Sequence, residues 1–232
     1  MRSPVFSIVM PHYDGAIPHD RFVRAVSCIK AQSYPLWELL IYHDGPISNL
    51  ELKAYVEKFG DKRIKFTQTK TRFNDWGHSL RQLGIEVAKG DYIVNTNSDN
   101  VIYQNALAIL AAYSLWGKDK IHSSGEACGG NLHIFNSDVL VFGVKMMGVF
   151  NAFGESKIRR VKGLEERFQL MLPGWPPRRN SIDAMQMVAR KSIWMKYGGW
   201  TDKSEQSDGV QIEKITLNEG YLVVPEILGE HW

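Results

Sequence analysis

Five side chains in this sequence stand at ends of elements, where a ligand can be reached: Asp44, Arg81, Asp99, Asp208 and His231. Asp99 lies in Asn97-Ser98-Asp99-Asn100, after an apolar run and before a helical pattern. A carboxylate there can bind a divalent cation that holds a diphosphate, or it can cap the helix. Asp44, in His43-Asp44-Gly45-Pro46, is a ligand contact or a turn former. Arg81 follows the polar stretch Asn74-Asp75-Trp76-Gly77-His78. Its fork matches phosphate oxygens, and a plain helix-surface arginine would look the same. Asp208 opens a helical pattern as cap or general base, with Asp202 and Glu205 competing for the base role. His231 can ligate a metal or touch phosphate. A histidine so near a terminus is commonly frayed, but the apolar run and Pro225 before it suit a packed end.

The elements that must carry these residues follow from periodicity. Apolar runs at 5–10, 37–42, 64–67 and 92–95 read as buried strands, the first ending at Pro11. Helical spacing at 18–31, 50–59, 79–88 and 105–116 separates or follows them. Gly90 stops the third helix in this reading. Further on, 139–144 reads as a strand continued by 146–153, and 184–189 and 222–224 as strands. Helices are expected at 191–197 and 209–218, the latter ending at Gly220. Residues 172–180, with three prolines and two arginines, read as a loop. Alternating strands and helices predict an α/β fold with a mostly parallel sheet. Ligands bind such sheets beyond the carboxyl ends of the strands. Polar clusters stand at three of those ends: His12-Tyr13-Asp14, His43-Asp44 and Asn97-Ser98-Asp99-Asn100.

Composition excludes more than it selects. The 232 residues fit one large domain and can bury a core without staples. Lys plus Arg number 28 against 25 acids, and a net +3 does not announce a nucleic-acid partner. Cys28 and Cys128 have no CxxC spacing, so free thiols in a reducing compartment are expected. No apolar run approaches the ~18–20 residues of a membrane span, and the N-terminal run is too short for a signal peptide. A cytoplasmic protein is expected, and one made in an infected host's cytoplasm would look the same. GxxxxGK[ST], GxGxxG and GxSxG are all absent, so P-loop, dinucleotide and α/β-hydrolase sites lack their signatures.

The order of segments resembles the family 2 glycosyltransferases of the GT-A fold over nearly the whole chain. Ser7-Ile8-Val9-Met10-Pro11-His12-Tyr13-Asp14 is similar to the family's opening strand. Ser27-Cys28-Ile29-Lys30-Ala31-Gln32-Ser33-Tyr34 and Trp37-Glu38-Leu39-Leu40-Ile41 resemble its next stretch. Ile41-Tyr42-His43-Asp44-Gly45-Pro46 takes the place of V-V-D-D-G-S. Arg81 to Ile93 is similar to R-N-x-G-I-x-x-A-K-G-[ED]-Y-[IL], and Asn97-Ser98-Asp99 occupies the D-x-D site. Tyr197-Gly198-Gly199-Trp200 with Ser207-Asp208 resembles G-G-[FW]…[ED]-D.

The resemblance implies a Rossmann-like central sheet flanked by helices, with a smaller acceptor-side sheet. Residues 1–103 would form the nucleotide-sugar half and 104–232 the acceptor half. It implies a UDP-, GDP- or dTDP-linked donor, a glycan or other hydroxyl acceptor, and inversion at the anomeric carbon. Pro11, His12, Tyr13 and Asp14 would line the nucleotide pocket with Asp44, and Arg81, Asn97 and Ser98 would lie near the diphosphate. Asp99 and His231 would hold Mn²⁺ or Mg²⁺, and Asp208 would be the base. Trp175, Asp183 and Trp200 would meet the acceptor, with 172–180 as a mobile flap.

The pattern is incomplete. Asn97 replaces the first Asp of D-x-D, His43 the first Asp of D-D, Pro46 its Ser, and Ser207 the acid before Asp208. A non-catalytic nucleotide-sugar or carbohydrate binder on the same scaffold is therefore the alternative. A nucleotidyltransferase would need a Gly-rich basic loop after the first strand, which 11–15 lacks.

Overall fold

The computed structural model describes residues 3, 5–116, 136–151, 158–161, 163–179 and 181–232. Cys128 and the end of the expected 146–153 strand lie outside these. The order is β1 (Phe6–His12), α1 (His19–Lys30), β2 (Trp37–His43), α2 (Leu50–Glu57), β3 (Ile64–Gln68), α3 (His78–Val87) and β4 (Tyr92–Asn95). Then follow β5 (Val101–Ile102), α4 (Ala106–Trp116), β6 (Val139–Met147), β7 (Val149–Asn151), β8 (Ile158–Arg160) and β9 (Gln169–Leu172). A 3₁₀ turn (Ala184–Gln186), β10 (Met187–Arg190), α5 (Lys191–Lys196), α6 (Ser207–Glu219) and β11 (Leu222–His231) complete the order.

One sheet carries the fold, in the order β3-β2-β1-β4-β10-β6-β11-β5, with β9 added beside β6 and β7 paired to β8 separately. β3, β2, β1 and β4 run parallel. β10 is antiparallel to both β4 and β6. Helices cover both faces, which is why β1 is buried along its whole length. Strand alternation sorts the core: Ile8, Met10, Leu39 and Ile41 face α1, α2 and α4, while Val9 and Leu40 face the layer of Ile85, Trp194 and Ile212. Together these features make the GT-A architecture that the sequence implied.

Several boundaries differ from the sequence reading, each for a local reason. β1 runs through Pro11 to His12 rather than stopping at Met10. β4 pairs with β1 only as far as Val9, so no ladder partner is lost at a residue without an N–H. Gly90 is not a helix stop. α3 ends at Val87 and is capped at Ala88, and a Cβ on Gly90 would lie 2.6 Å from the Ser7 nitrogen, so Gly90 permits a close chain crossing. The expected strand 184–189 begins as a 3₁₀ turn, because Asp183 and Gln186 form a reciprocal capping box. β11 extends past Pro225 to His231, with register shifts between Val224 and Gly229 absorbing the proline. The two-residue β5 was not legible as a strand at all. No helix among the described residues is long and apolar enough to cross a membrane.

Candidate active site

A cleft of about 520 Å³ opens at the carboxyl ends of β1, β2 and β4. Pro11, His12, Tyr13, Asp44, Asn97, Ser98, Asp99 and His231 line it, as do Arg72, Trp76 and Trp232. That volume lies within the range of small-molecule sites. The strand order brings these residues together, since β1 is flanked by β2 on one side and β4 on the other.

The Asn97–Asn100 turn is pinned from three sides. His12 is buried, stacks on Phe22 at 4.2 Å, and shares a 2.8 Å hydrogen bond between Nδ1 and Ser98 Oγ. Burial, with His43 nearby, pushes its imidazole down to about 3, so His12 is a neutral bracket. Arg81 donates to Asn97 Oδ1 and, at 3.0 Å, to the Trp76 carbonyl. Arg24 donates at 3.0 Å to the Asp99 carbonyl, and its guanidinium lies 3.9 Å from the Trp232 ring centre. The Trp232 amide in turn donates to Asn100 Oδ1 at 3.3 Å. These contacts fix the backbone under Asp99.

A polar cluster adjoins this turn. Arg81 is buried with its guanidinium 4.9 Å from the Trp200 ring centre. Burial lowers its pKa, and Asp183, Asp208 and Asp75 oppose that. Asp183 accepts the Met185 amide at 3.0 Å and faces His231 Nε2 at 3.2 Å. Burial alone would raise this carboxyl, but His231, the Met185 amide and Arg81 hold it at about 2. Asp208 stands in the first turn of α6. Burial, then the Asp183 charge, raises its pKa, against the Gly209 amide and Arg81. A carboxylate displaced toward neutrality is better placed to take a proton.

Five expected site residues have other duties. Asp14 lies outside the lining, and its Oδ2 accepts the Ser48 amide, the Ser48 hydroxyl and the Asn49 amide at 2.8–3.0 Å. It ties the end of β1 to the start of α2. Trp200 is fully buried, stacked between Trp194 and His78, and donates to Ser207 Oγ at 2.6 Å. It presents no surface to an acceptor, and its job is to pack the start of α6 against α3. Trp175 is half exposed, but it hydrogen-bonds Tyr221, beyond the far end of α6 from Asp208. Asp183 is held by His231 and Met185 rather than facing an acceptor. Arg81 likewise supports Asn97 and Trp76, which makes it a positioning group. Within the expected flap, 172–180, Leu172 pairs in β9, Gly174 lies against Phe142 of β6, and the Arg179 carbonyl abuts α6, where a Cβ on Gly209 would meet its oxygen.

Asp44 both lines the cleft and builds its wall. Its oxygens accept the Phe73 amide at 2.7 Å and the Asn74 amide at 3.0 Å. Arg72 approaches Asp44 at 3.5 Å and lies 3.6 Å over the Tyr13 ring. Neither Arg72 nor Trp76 was singled out from sequence. A polar loop with one tryptophan after a strand was the available signal.

Comparison with known proteins agrees with this geometry. Residues 7–141 match the family described as glycosyl transferase family 2. The chain belongs to that family. One curated relative is UDP-Glc:alpha-D-GlcNAc-diphosphoundecaprenol beta-1,3-glucosyltransferase WfgD of Escherichia coli, 27% identical over 135 residues, 58% of this chain and 48% of that protein. The chain spans less than half the length of the curated relatives it matches. Among solved structures, S. aureus TarS 1-349 in complex with UDP-GlcNAc superposes with a TM-score of 0.65 at 16% identity, over 98% of this chain and 58% of that one. Mannosyltransferase PcManGT from Pyrobaculum calidifontis, with GDP-Man and Mn²⁺, gives 0.62 at 12% identity, over 99% and 57%. These likenesses establish the fold of this family 2 chain.

Proposed function

We propose that this chain is an inverting glycosyltransferase that moves a sugar from a nucleotide-sugar donor to an acceptor hydroxyl, with Asp208 as general base. The observation that carries the reading is the junction of two features. A cleft bearing Asp99 and His231 meets a half-buried cluster around Arg81 in which Asp208 has its carboxyl raised and Asp183 lowered. Family membership supports the reaction class. Neighbours solved with UDP-GlcNAc and with GDP-Man support a nucleotide-linked donor.

The chemistry follows from these placements. Asp208 takes the proton of the acceptor hydroxyl as its oxygen bonds to the anomeric carbon. The bond from that carbon to the diphosphate oxygen breaks on the opposite face, and the nucleoside diphosphate leaves with the electron pair. General-base assistance of this kind contributes roughly 10²–10⁴-fold.

Mn²⁺ or Mg²⁺ fits the donor set in one respect. Asp99 and His231 line one cleft, and Asp183 faces His231 as a carboxylate that orients a metal-binding imidazole does. Among the described residues no group of three or more His, Cys, Asp or Glu gathers. Phosphate oxygens and water would complete the shell, as Mg²⁺ tolerates. When bound, the cation would neutralise the departing diphosphate. We read 1–103 as the donor half and 104–232 as the acceptor half. Cys28, free and engaged with the Ala25 carbonyl and Ile102 amide, suits a reducing cytoplasm.

One observation favours a second reading, a binder without turnover. Asn97 stands where an acid is expected, and its oxygen is taken by Arg81. Two measurements separate the readings. UDP, GDP or dTDP at millimolar levels with Mn²⁺ is expected to raise Tm, and no shift with any of them overturns both. Labelled UDP-GlcNAc, UDP-glucose or GDP-mannose is expected to lose its sugar to water or acceptor, and Asp208→Asn to abolish this while keeping the Tm shift. A Tm shift without turnover leaves the binder.

A further inference from the structure

Trp76 is 76% exposed, yet it lines the cleft, so its indole stands at the mouth. Its backbone is in the left-handed region, with φ 59°, and Asn74 is there too, with φ 53°. For a bulky side chain that conformation is strained and persists only where surrounding contacts enforce it. They do so here. Asp44 takes the Phe73 and Asn74 amides, and Arg81 donates to the Trp76 carbonyl. Asp75 Oδ2 accepts the Ser79 amide at 2.9 Å and its hydroxyl at 2.6 Å. Gly77, with φ 81°, packs against Pro11 so closely that a Cβ would come within 2.6 Å of the proline ring. The loop is thus fixed on every side except the indole, which it presents to solvent beside the cleft.

An exposed indole carried on a fixed loop at a polar rim matches the needs of a sugar ring. The C–H face of a pyranose lies flat on an aromatic surface while its hydroxyls stay in water or reach polar neighbours. We propose that Trp76 is the platform on which a pyranose ring stacks at the mouth of the cleft. The assignment rests on the donor-cleft reading above. The ring belongs to the donor or to a glycan acceptor, and the test separates these.

Protein labelled with ¹⁵N at the tryptophan indoles gives an Nε1–H resonance for Trp76, identified by its loss in Trp76→Phe. It is titrated with UDP and GDP, then with UDP-GlcNAc and GDP-mannose. Last come cellobiose and N,N′-diacetylchitobiose, with the nucleotide that binds already present. A shift from a nucleotide sugar beyond that of its bare nucleotide identifies the donor as the source. A shift from a disaccharide identifies the acceptor. In either case Trp76→Ala weakens the sugar-dependent affinity about tenfold. Trp76→Phe restores most of it, and affinity for the bare nucleotide stays the same. Nucleotide binding with no sugar-dependent shift overturns the stacking role and leaves the transferase reading standing. A shift equal for nucleotide and nucleotide sugar with none from either disaccharide, or one that tracks protein concentration, also overturns it. Failure of every nucleotide to bind overturns the donor-cleft reading first.

Discussion

Replacing Asp183 by Asn keeps the shape of the side chain and its acceptor for the Met185 amide, but removes the charge facing His231. Burial raises this carboxyl, yet His231, Met185 and Arg81 bring it down from 3.8 to about 2. At about 1.4 kcal/mol per pH unit, that difference corresponds to about 2 kcal/mol of stability. The sign follows from the direction. A carboxyl lowered by folding stabilises above its unfolded pKa, and the contribution disappears as pH falls through the folded value. Thermal unfolding of the wild type and Asp183→Asn at pH 5, 4, 3 and 2 should therefore show a gap that is full at pH 5 and closes towards pH 2. For a chain of this size the gap at pH 5 corresponds to about 4–8 °C in Tm. The same charge raises the Asp208 carboxyl, so the variant should also move the acid limb of its pH–rate profile downward. A gap below about 0.5 kcal/mol at pH 5, or one of constant size across the range, would refute the argument.

Three further outcomes are expected. The acid limb of kcat/KM should lie above the ordinary aspartate value of 3.8, because burial raises Asp208, and activity should fall as pH drops through it; a limb below pH 3.8 would remove Asp208 from the base role. Trp200→Ala should cost about 3–5 kcal/mol in chemical denaturation, since the ring is fully buried between Trp194 and His78; near-neutral stability with weaker acceptor binding would restore an acceptor contact. Asp44→Ala should orphan the Phe73 and Asn74 amides, speeding their hydrogen exchange and weakening nucleotide binding; unchanged exchange at both amides would show that the loop does not depend on Asp44.

β1, β2 and β4 were legible because both of their faces are largely buried, so each reads as an apolar run bounded by polar turns. β2 and β4 fell within a residue of expectation, and Asp44 and Asp99 reached the cleft for that reason. Pro11 misled because its effect depends on whether a neighbour strand still runs beside it, which sequence spacing does not record. β11 was missed past Pro225 because its second segment, Glu226 to His231, holds two acids and a glycine. That extension carries His231 into the site. Trp200 and Trp175 were read as equivalent aromatics, yet one is core and the other lies by Tyr221. Residue type carries no information on which side of a layer a ring falls. Asp14 looked like a ligand contact because it follows β1, and only the return of the chain at Ser48 and Asn49 gives it partners.

The antiparallel ladder between β4 and β10 crosses the middle of the sheet, where Val94 faces Val188 and Ile93 faces Ala189. Mechanically, it welds the strand leading to Asp99 to the strand that follows Asp183. Opening the sheet between these two strands would have to tear hydrogen bonds at the centre of the molecule, so the parts on either side move as one stiff body.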